Sequence, residues 1–142
     1  MHRLFVLLIA LTALAGGTIA WASSPGGRSA SVYALVDPNG GSPRLITAHT
    51  EGFIAVSAAA AGDYCLTPAP GVDVADPAAV ASEEAFYSNV AGFPVVRYDP
   101  THANCTARQL EVKTFVDTPT TALSDQIAFT VVVPQSQEEQ SR

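Results

Sequence analysis

Two cysteines, Cys65 and Cys105, are the only ones in a chain of 142 residues, and they stand 40 positions apart. An even pair in a small domain reads as a disulfide where the chain meets an oxidising compartment, and as two separate buried thiols where it does not. The choice matters energetically. Cross-linking a loop of this length restrains the unfolded chain by about 4 kcal/mol in the chain-entropy picture, against whole-domain stabilities of roughly 5–15 kcal/mol. The fold must then bring both sulfurs together, and the long interval points to a bridge between two non-consecutive strands.

The N-terminus decides the compartment. Met1-His2-Arg3 gives a positive start, Leu4 to Ala15 is nearly unbroken apolar sequence, and Gly16-Gly17-Thr18-Ile19 is softer. Ala20 and Ala22 flank Trp21 with the small residues a signal peptidase reads. Those three parts in that order define a secretory signal peptide over 1–22, with cleavage between Ala22 and Ser23. The stretch Leu4–Ala22 is also just long enough to cross a ~30 Å hydrocarbon core, so the alternative is an uncleaved N-terminal helix that anchors the protein in the membrane. The glycine pair and the lack of a flanking charged stop favour cleavage. Secretion to the extracellular side, and hence an oxidised Cys65–Cys105 pair, is the expectation.

Removing 1–22 takes away one basic residue, Arg3, and no acidic one, so the net charge moves from −6 to −7. The remaining basic residues are scattered, without the Lys/Arg cluster that nucleic acid or an anionic membrane surface requires. The expected partners are therefore a protein or an envelope glycan, with no nucleic acid and, after signal cleavage, no membrane.

Along the mature chain, 23–30 (SSPGGRSA) reads as a linker. Val32–Val36 is a strand that ends in Asp37-Pro38-Asn39-Gly40-Gly41, where proline presets φ and Asn-Gly accepts positive φ. Extended sequence resumes at Arg44–His49, which makes 32–49 a β-hairpin. Gly52–Val56 and Asp63–Leu66 read as two further strands, with Ser57–Gly62 left open and Pro68 and Pro70 ending the pairing. Residues 78–88 have helix-forming alanines and glutamates after Asp76-Pro77, but no 3.6-residue stripe, and Phe86-Tyr87 favour a strand. Phe93–Tyr98 is a short strand whose Pro94 places it at an edge or a start. Leu110, Val112, Thr114 and Val116 alternate with Glu111, Lys113 and Phe115, a clear two-residue period. Ile127–Val133 is apolar at both parities, as in a strand covered on both faces. The tail 135–142 is polar and expected to be disordered. The sum is an all-β fold: a small antiparallel β-sandwich over 31–134, Greek-key or jelly-roll-like, preceded by a signal-peptide helix.

The order Gly62-x-Tyr64-Cys65-Leu66, then Cys105, then Leu110-Glu111-Val112-x-Thr114, and finally Asp125 with Phe129-x-Val131-x-Val133-Pro134 resembles a family of short secreted bacterial β domains. The resemblance spans about residues 31–134. It implies the paired cysteines and a strand over 78–88, and it brings no activity and no catalytic residues.

Chemistry-bearing residues are sparse. Nucleophilic catalysis needs a Ser or Cys beside an oriented base, and the mature histidines are only His49 and His102, with no G-x-S-x-G elbow. His49, at a hairpin strand end, reads as a surface imidazole. Asp99, His102 and Cys105 have metal-like spacing, but a disulfide removes the thiolate that zinc would take. Asp73 and Asp76 lack the ligand density of a calcium loop. Glu83 and Glu84 are adjacent, so on a strand they point to opposite faces rather than converging on one glycosidic bond. Asn104-Cys105-Thr106 fits the N-glycosylation pattern, weakened by its central cysteine. Tyr33, Tyr64, Tyr87 and Tyr98, with the phenylalanines, read mostly as core, the alternative being a sugar-stacking platform. No catalytic residue, metal ligand or cofactor is implied. The expected function is a secreted, non-enzymatic interaction module. A small hydrolase or metal-dependent enzyme, and a protease inhibitor presenting loop 67–77, stand as alternatives.

Overall fold

The computed structural model describes residues 31–75, 78–97, 103–117 and 121–135. The signal peptide, its cleavage site at Ala20, Ala22 and Ser23, the linker 23–30 and all but the first residue of the tail lie outside the described residues, as do Asp76, Tyr98, Asp99 and His102.

The described chain is all-β and antiparallel. In order, the strands are β1 (Ser31–Asp37), β2 (Arg44–Glu51), β3 (Phe53–Ala60), β4 (Asp63–Pro68), β5 (Val80–Glu83), β6 (Gly92–Arg97), β7 (Leu110–Val116), β8 (Ala122–Leu123) and β9 (Phe129–Pro134). They form two sheets. One runs β2-β1-β9-β5; the other runs β3-β4-β7-β6, with β8 added beside β7.

The β1–β2 hairpin forms as its turn residues require. Asn39 and Gly40 take left-handed φ values of 43° and 61°. Asp37, at the end of β1, accepts the Asn39 N–H at 3.0 Å and receives Nε and Nη2 of Arg44 at 2.9 and 2.7 Å, locking the first residue of β2 to the last of β1. Away from the turn the register jumps: Val36 pairs with Leu45 and Ala34 with Thr50, so Ile46–His49 stand opposite the single Leu35. This bulge carries His49 out of the ladder.

β3 and β4 turn tightly at Ala61-Gly62. Gly62 has φ +70°, and a Cβ there would run into the backbone nitrogen of Ser124, so only glycine fits. The open stretch 57–62 is thus resolved as the second half of β3 plus a turn.

Alternation places one face of each sheet in a common core. Val32, Ala34 and Val36 from β1 and Phe129, Val131 and Val133 from β9 meet Phe53, Tyr64, Leu66, Leu110 and Val112 from the other sheet. Tyr64 and Phe129 pack with ring centroids 5.4 Å apart. Pro94 lies in β6, an edge strand, where its missing donor is tolerated.

Three expectations need correction. Cys105 is not on a strand: it lies in the connection between β6 and β7, and the bridge ties that connection to β4. The strand over 78–88 is only Val80–Glu83, because Glu84 and Ser88 turn the chain with their own side chains. The last strand starts at Phe129 and alternates buried with half-buried residues, so Val132 faces outward rather than into a second cover.

Candidate functional site

The outer faces of the two sheets carry the unusual side chains. On the β3-β4-β7-β6 sheet, Asp63 pairs in register with Lys113 and Cys65 with Glu111, so all four point away from the core. The Cys65–Cys105 disulfide, with Cα atoms 5.5 Å apart, clamps the segment 103–109 over them. Lys113 Nζ reaches Asp63 Oδ2 at 2.7 Å and Glu111 Oε1 at 3.3 Å, and Arg97 Nη1 approaches Glu111 Oε1 at 3.3 Å. Asn104 Nδ2 donates to both carboxylates, at 3.1 and 3.2 Å. The Asp63 and Glu111 side chains are each only 4% exposed and that of Lys113 is 17%. The hydrogen bond to Asp63 raises the Lys113 ammonium pKa above its usual range, outweighing the opposing effect of burial. Asp63 Oδ2 and Glu111 Oε1 each take more than one donor within this network, while Asp63 Oδ1 is buried without a partner among the described residues, and the disulfide holds residues 103–109 beside them. Its carboxylates are withdrawn from solvent, with Arg97 at the exposed margin, 45% accessible.

On the β2-β1-β9-β5 sheet the outer face is only partly covered: Leu35 is buried, whereas Tyr33 and Val80 are exposed. Tyr33 lies opposite Glu51 on one side and Val132 on the other, and Val132 lies opposite Val80, giving a row across the sheet. Leu35 and Thr130 form the next row. Beyond β5 the chain makes a turn whose hydrogen bonds fix it firmly. The Glu84 N–H donates to the Ala128 carbonyl at 2.9 Å, and the Tyr87 N–H donates to Glu84 Oε2 at 3.0 Å. Ser88 Oγ donates to the Glu84 carbonyl at 2.7 Å and accepts the Ala128 N–H at 2.9 Å, while the Asn89 N–H donates to the Gln126 carbonyl at 2.8 Å. The turn so fixed lifts Phe86 into solvent at 83% exposure, edge-on to Tyr87 with centroids 5.0 Å apart.

These parts enclose an open groove of about 470 Å³. Its floor is Tyr33, Leu35 and Thr130, one wall is Glu84, Phe86 and Tyr87, and the other is His49, delivered by the β2 bulge. Leaving a phenylalanine this exposed forgoes roughly 1.5–3 kcal/mol of burial, so the fold holds the ring outward at a cost.

The sequence-stated candidates distribute unevenly. His49 lines the groove, with Glu84 on the opposite wall. Glu83 and Glu84 do not converge, since Glu83 is an exposed strand residue and Glu84 begins the turn. Asn104 is engaged in the carboxylate network. Of the tyrosines, Tyr64 is core; its phenol is pushed up to about 12, chiefly by burial, while Tyr33 and Tyr87 line the groove instead. Reading the aromatics as mostly core therefore overlooked this groove lining: Phe53, Tyr64 and Phe129 are buried, whereas Tyr33, Phe86 and Phe93 are exposed. The signal that could have found it is the pair Glu84 and Ser88 bracketing Phe86-Tyr87, residues whose side chains compete with a strand ladder. Of loop 67–77, Val74 is buried in the core while Pro70, Gly71, Asp73 and Ala75 are exposed. Among the described residues, no group of three His, Cys, Asp or Glu side chains could hold a metal ion.

No family model, curated protein or solved structure matches the chain.

Proposed function

We propose that the protein is a secreted recognition domain without catalytic activity. In this reading it is a small antiparallel sandwich of Greek-key type that binds envelope or extracellular material through the outer face of the β2-β1-β9-β5 sheet. The Greek-key reading is supported by β7 returning to pair with β4 after the chain has passed through β5 and β6. The disulfide and the apolar leader support an oxidising destination. The observation that carries the functional reading is the hydrogen-bonded turn that holds Phe86 in solvent beside Tyr33, Tyr87 and His49. Exposed aromatics held rigidly are pre-organised contacts that lose little conformational entropy on binding.

The test is retention of the oxidised protein on isolated cell envelope. Binding that weakens at least tenfold in Phe86→Ala is expected; no retention, or retention indifferent to Phe86, refutes the reading. Turnover of any substrate that vanishes in His49→Ala would make the protein an enzyme instead. Intact mass of material recovered from the medium should begin at Ser23 and lack two hydrogens relative to the dithiol. A mass that includes residues 1–22 on membrane-bound protein would replace secretion with anchoring.

A further inference from the structure

We propose, resting on the recognition reading above, that the groove takes a neutral polysaccharide, binding one or two pyranose units against Tyr33, Phe86 and Tyr87. Three observations select this ligand class.

The first is the mixture of surfaces. A pyranose has an apolar C–H face and a rim of hydroxyls that both donate and accept. Aromatic ring faces carry a negative quadrupole that attracts such polarised C–H groups. Around them stand groups that match the rim: the Glu84 carboxylate, which retains acceptor capacity beyond its bond to the Tyr87 N–H, the His49 imidazole and the Thr130 hydroxyl. A purely apolar ligand would leave those polar groups unpaired on binding.

The second is charge. The groove lining includes a carboxylate and no Lys or Arg, and Glu51 sits directly across from Tyr33 on the same face. In a chain of net charge −6, that arrangement repels uronates, phosphates and sulfates. Neutral sugars carry no such penalty.

The third is size. A stable protein–protein interface buries roughly 800 Å² on each partner. A groove of about 470 Å³ bounded by one turn and one bulge falls in the range of small-ligand sites, about 300–1,000 Å³. It suits a polymer gripped at one or two rings more than a folded partner.

The experiment presents the oxidised protein to insoluble neutral polymers (cellulose, chitin, α-mannan and β-1,3-glucan) and to polygalacturonate as the anionic comparison. Retention on at least one neutral polymer is expected, at least tenfold tighter than on polygalacturonate. It should weaken at least tenfold in Phe86→Ala and in Tyr33→Leu, and stay unchanged in Phe93→Ala, which removes an exposed ring of the other sheet. Circular dichroism and an intact disulfide verify the fold of each variant, and Phe86→Leu serves as a second substitution that removes the ring but keeps an apolar side chain. Failure to bind every neutral polymer, preference for the anionic one, or indifference to both ring substitutions overturns the inference. If envelope retention still depends on Phe86 but is destroyed by protease treatment of the envelope, the partner is a protein: the glycan inference falls and the recognition reading stands. If envelope retention is also indifferent to Phe86, both fall.

Discussion

On the outer face of the β3-β4-β7-β6 sheet, Asp63, Glu111 and Lys113 lie beneath residues 103–109, whereas on the outer face of the β2-β1-β9-β5 sheet Tyr33 and Phe86 are exposed, with Tyr87 half-buried beside them. The covered face carries costly groups, ionised side chains withdrawn from water, and neutralises them internally through short ion pairs and the Asn104 amide. The open face carries aromatic surface that would stabilise the fold if buried, and the hydrogen-bonded turn holds Phe86 out in water. The two faces thus differ in kind: one withdraws charges from water and pairs them with one another, the other leaves aromatic surface in water beside a hydrogen-bonded turn, and the proposed recognition role rests on the second.

That contrast can be broken by substitution. The largest effect is expected at the clamp itself. Replacing Cys65 and Cys105 together by alanine should lower stability by about 4 kcal/mol, measured by urea unfolding, and should leave ligand retention by the folded fraction unchanged. Next, Lys113→Met leaves two buried carboxylates without their ammonium and should cost about 3 kcal/mol. A cost near zero would mean the network is solvated and the two faces are alike.

Alkaline titration sharpens the same point with no mutation. Lys113, held chiefly by its hydrogen bond to Asp63, and Tyr64, raised to about 12 mainly by burial, both keep their protons to higher pH folded than unfolded. Their contributions are complete below the unfolded values near 10 and are lost as pH rises through the folded ones. The unfolding midpoint should therefore fall between about pH 10 and 12, and Lys113→Met should remove part of that fall. The smallest effect is expected on the open face: Phe86→Ala should change stability by less than about 0.5 kcal/mol, since the ring is already in water, while abolishing retention on ligand.

How far the sequence foretold this differs between the faces. Asp37-Pro38-Asn39-Gly40-Gly41 specified the first hairpin because each residue has a local reason to be there, and the φ values of Asn39 and Gly40 follow it. The alternation of Leu110–Val116 located β7 correctly, yet alternation reports only parity: it says that Glu111 and Lys113 share a face, not that a disulfide-bound segment covers that face. The pairing of Cys65 with Cys105 was expected from the cysteine count and the expected compartment, while placing Cys105 on a strand failed because a bridge can anchor a connection as well as a strand. The groove was the least legible part. Phe86 and Tyr87 have strand propensities, and what overrides them is a set of side-chain and backbone bonds from Glu84 and Ser88 to each other's turn and to Ala128, forty residues on. His49 reaches the same groove only through a register jump that no local pattern encodes.

The place of β9 has a consequence for how the chain comes to be folded. The last strand in sequence lies between β1, the first, and β5, so one sheet stays split into a hairpin and an isolated strand until residues 129–134 have arrived. Closing that sheet joins the two ends of the domain, a contact of maximal sequence separation that slows folding and disfavours partial structure on a nascent chain. In this topology the β1–β2 hairpin and β5 gain the neighbour they share only when β9 is in place. A truncation ending before Phe129 should accordingly remain protease-sensitive throughout, rather than yield a folded fragment.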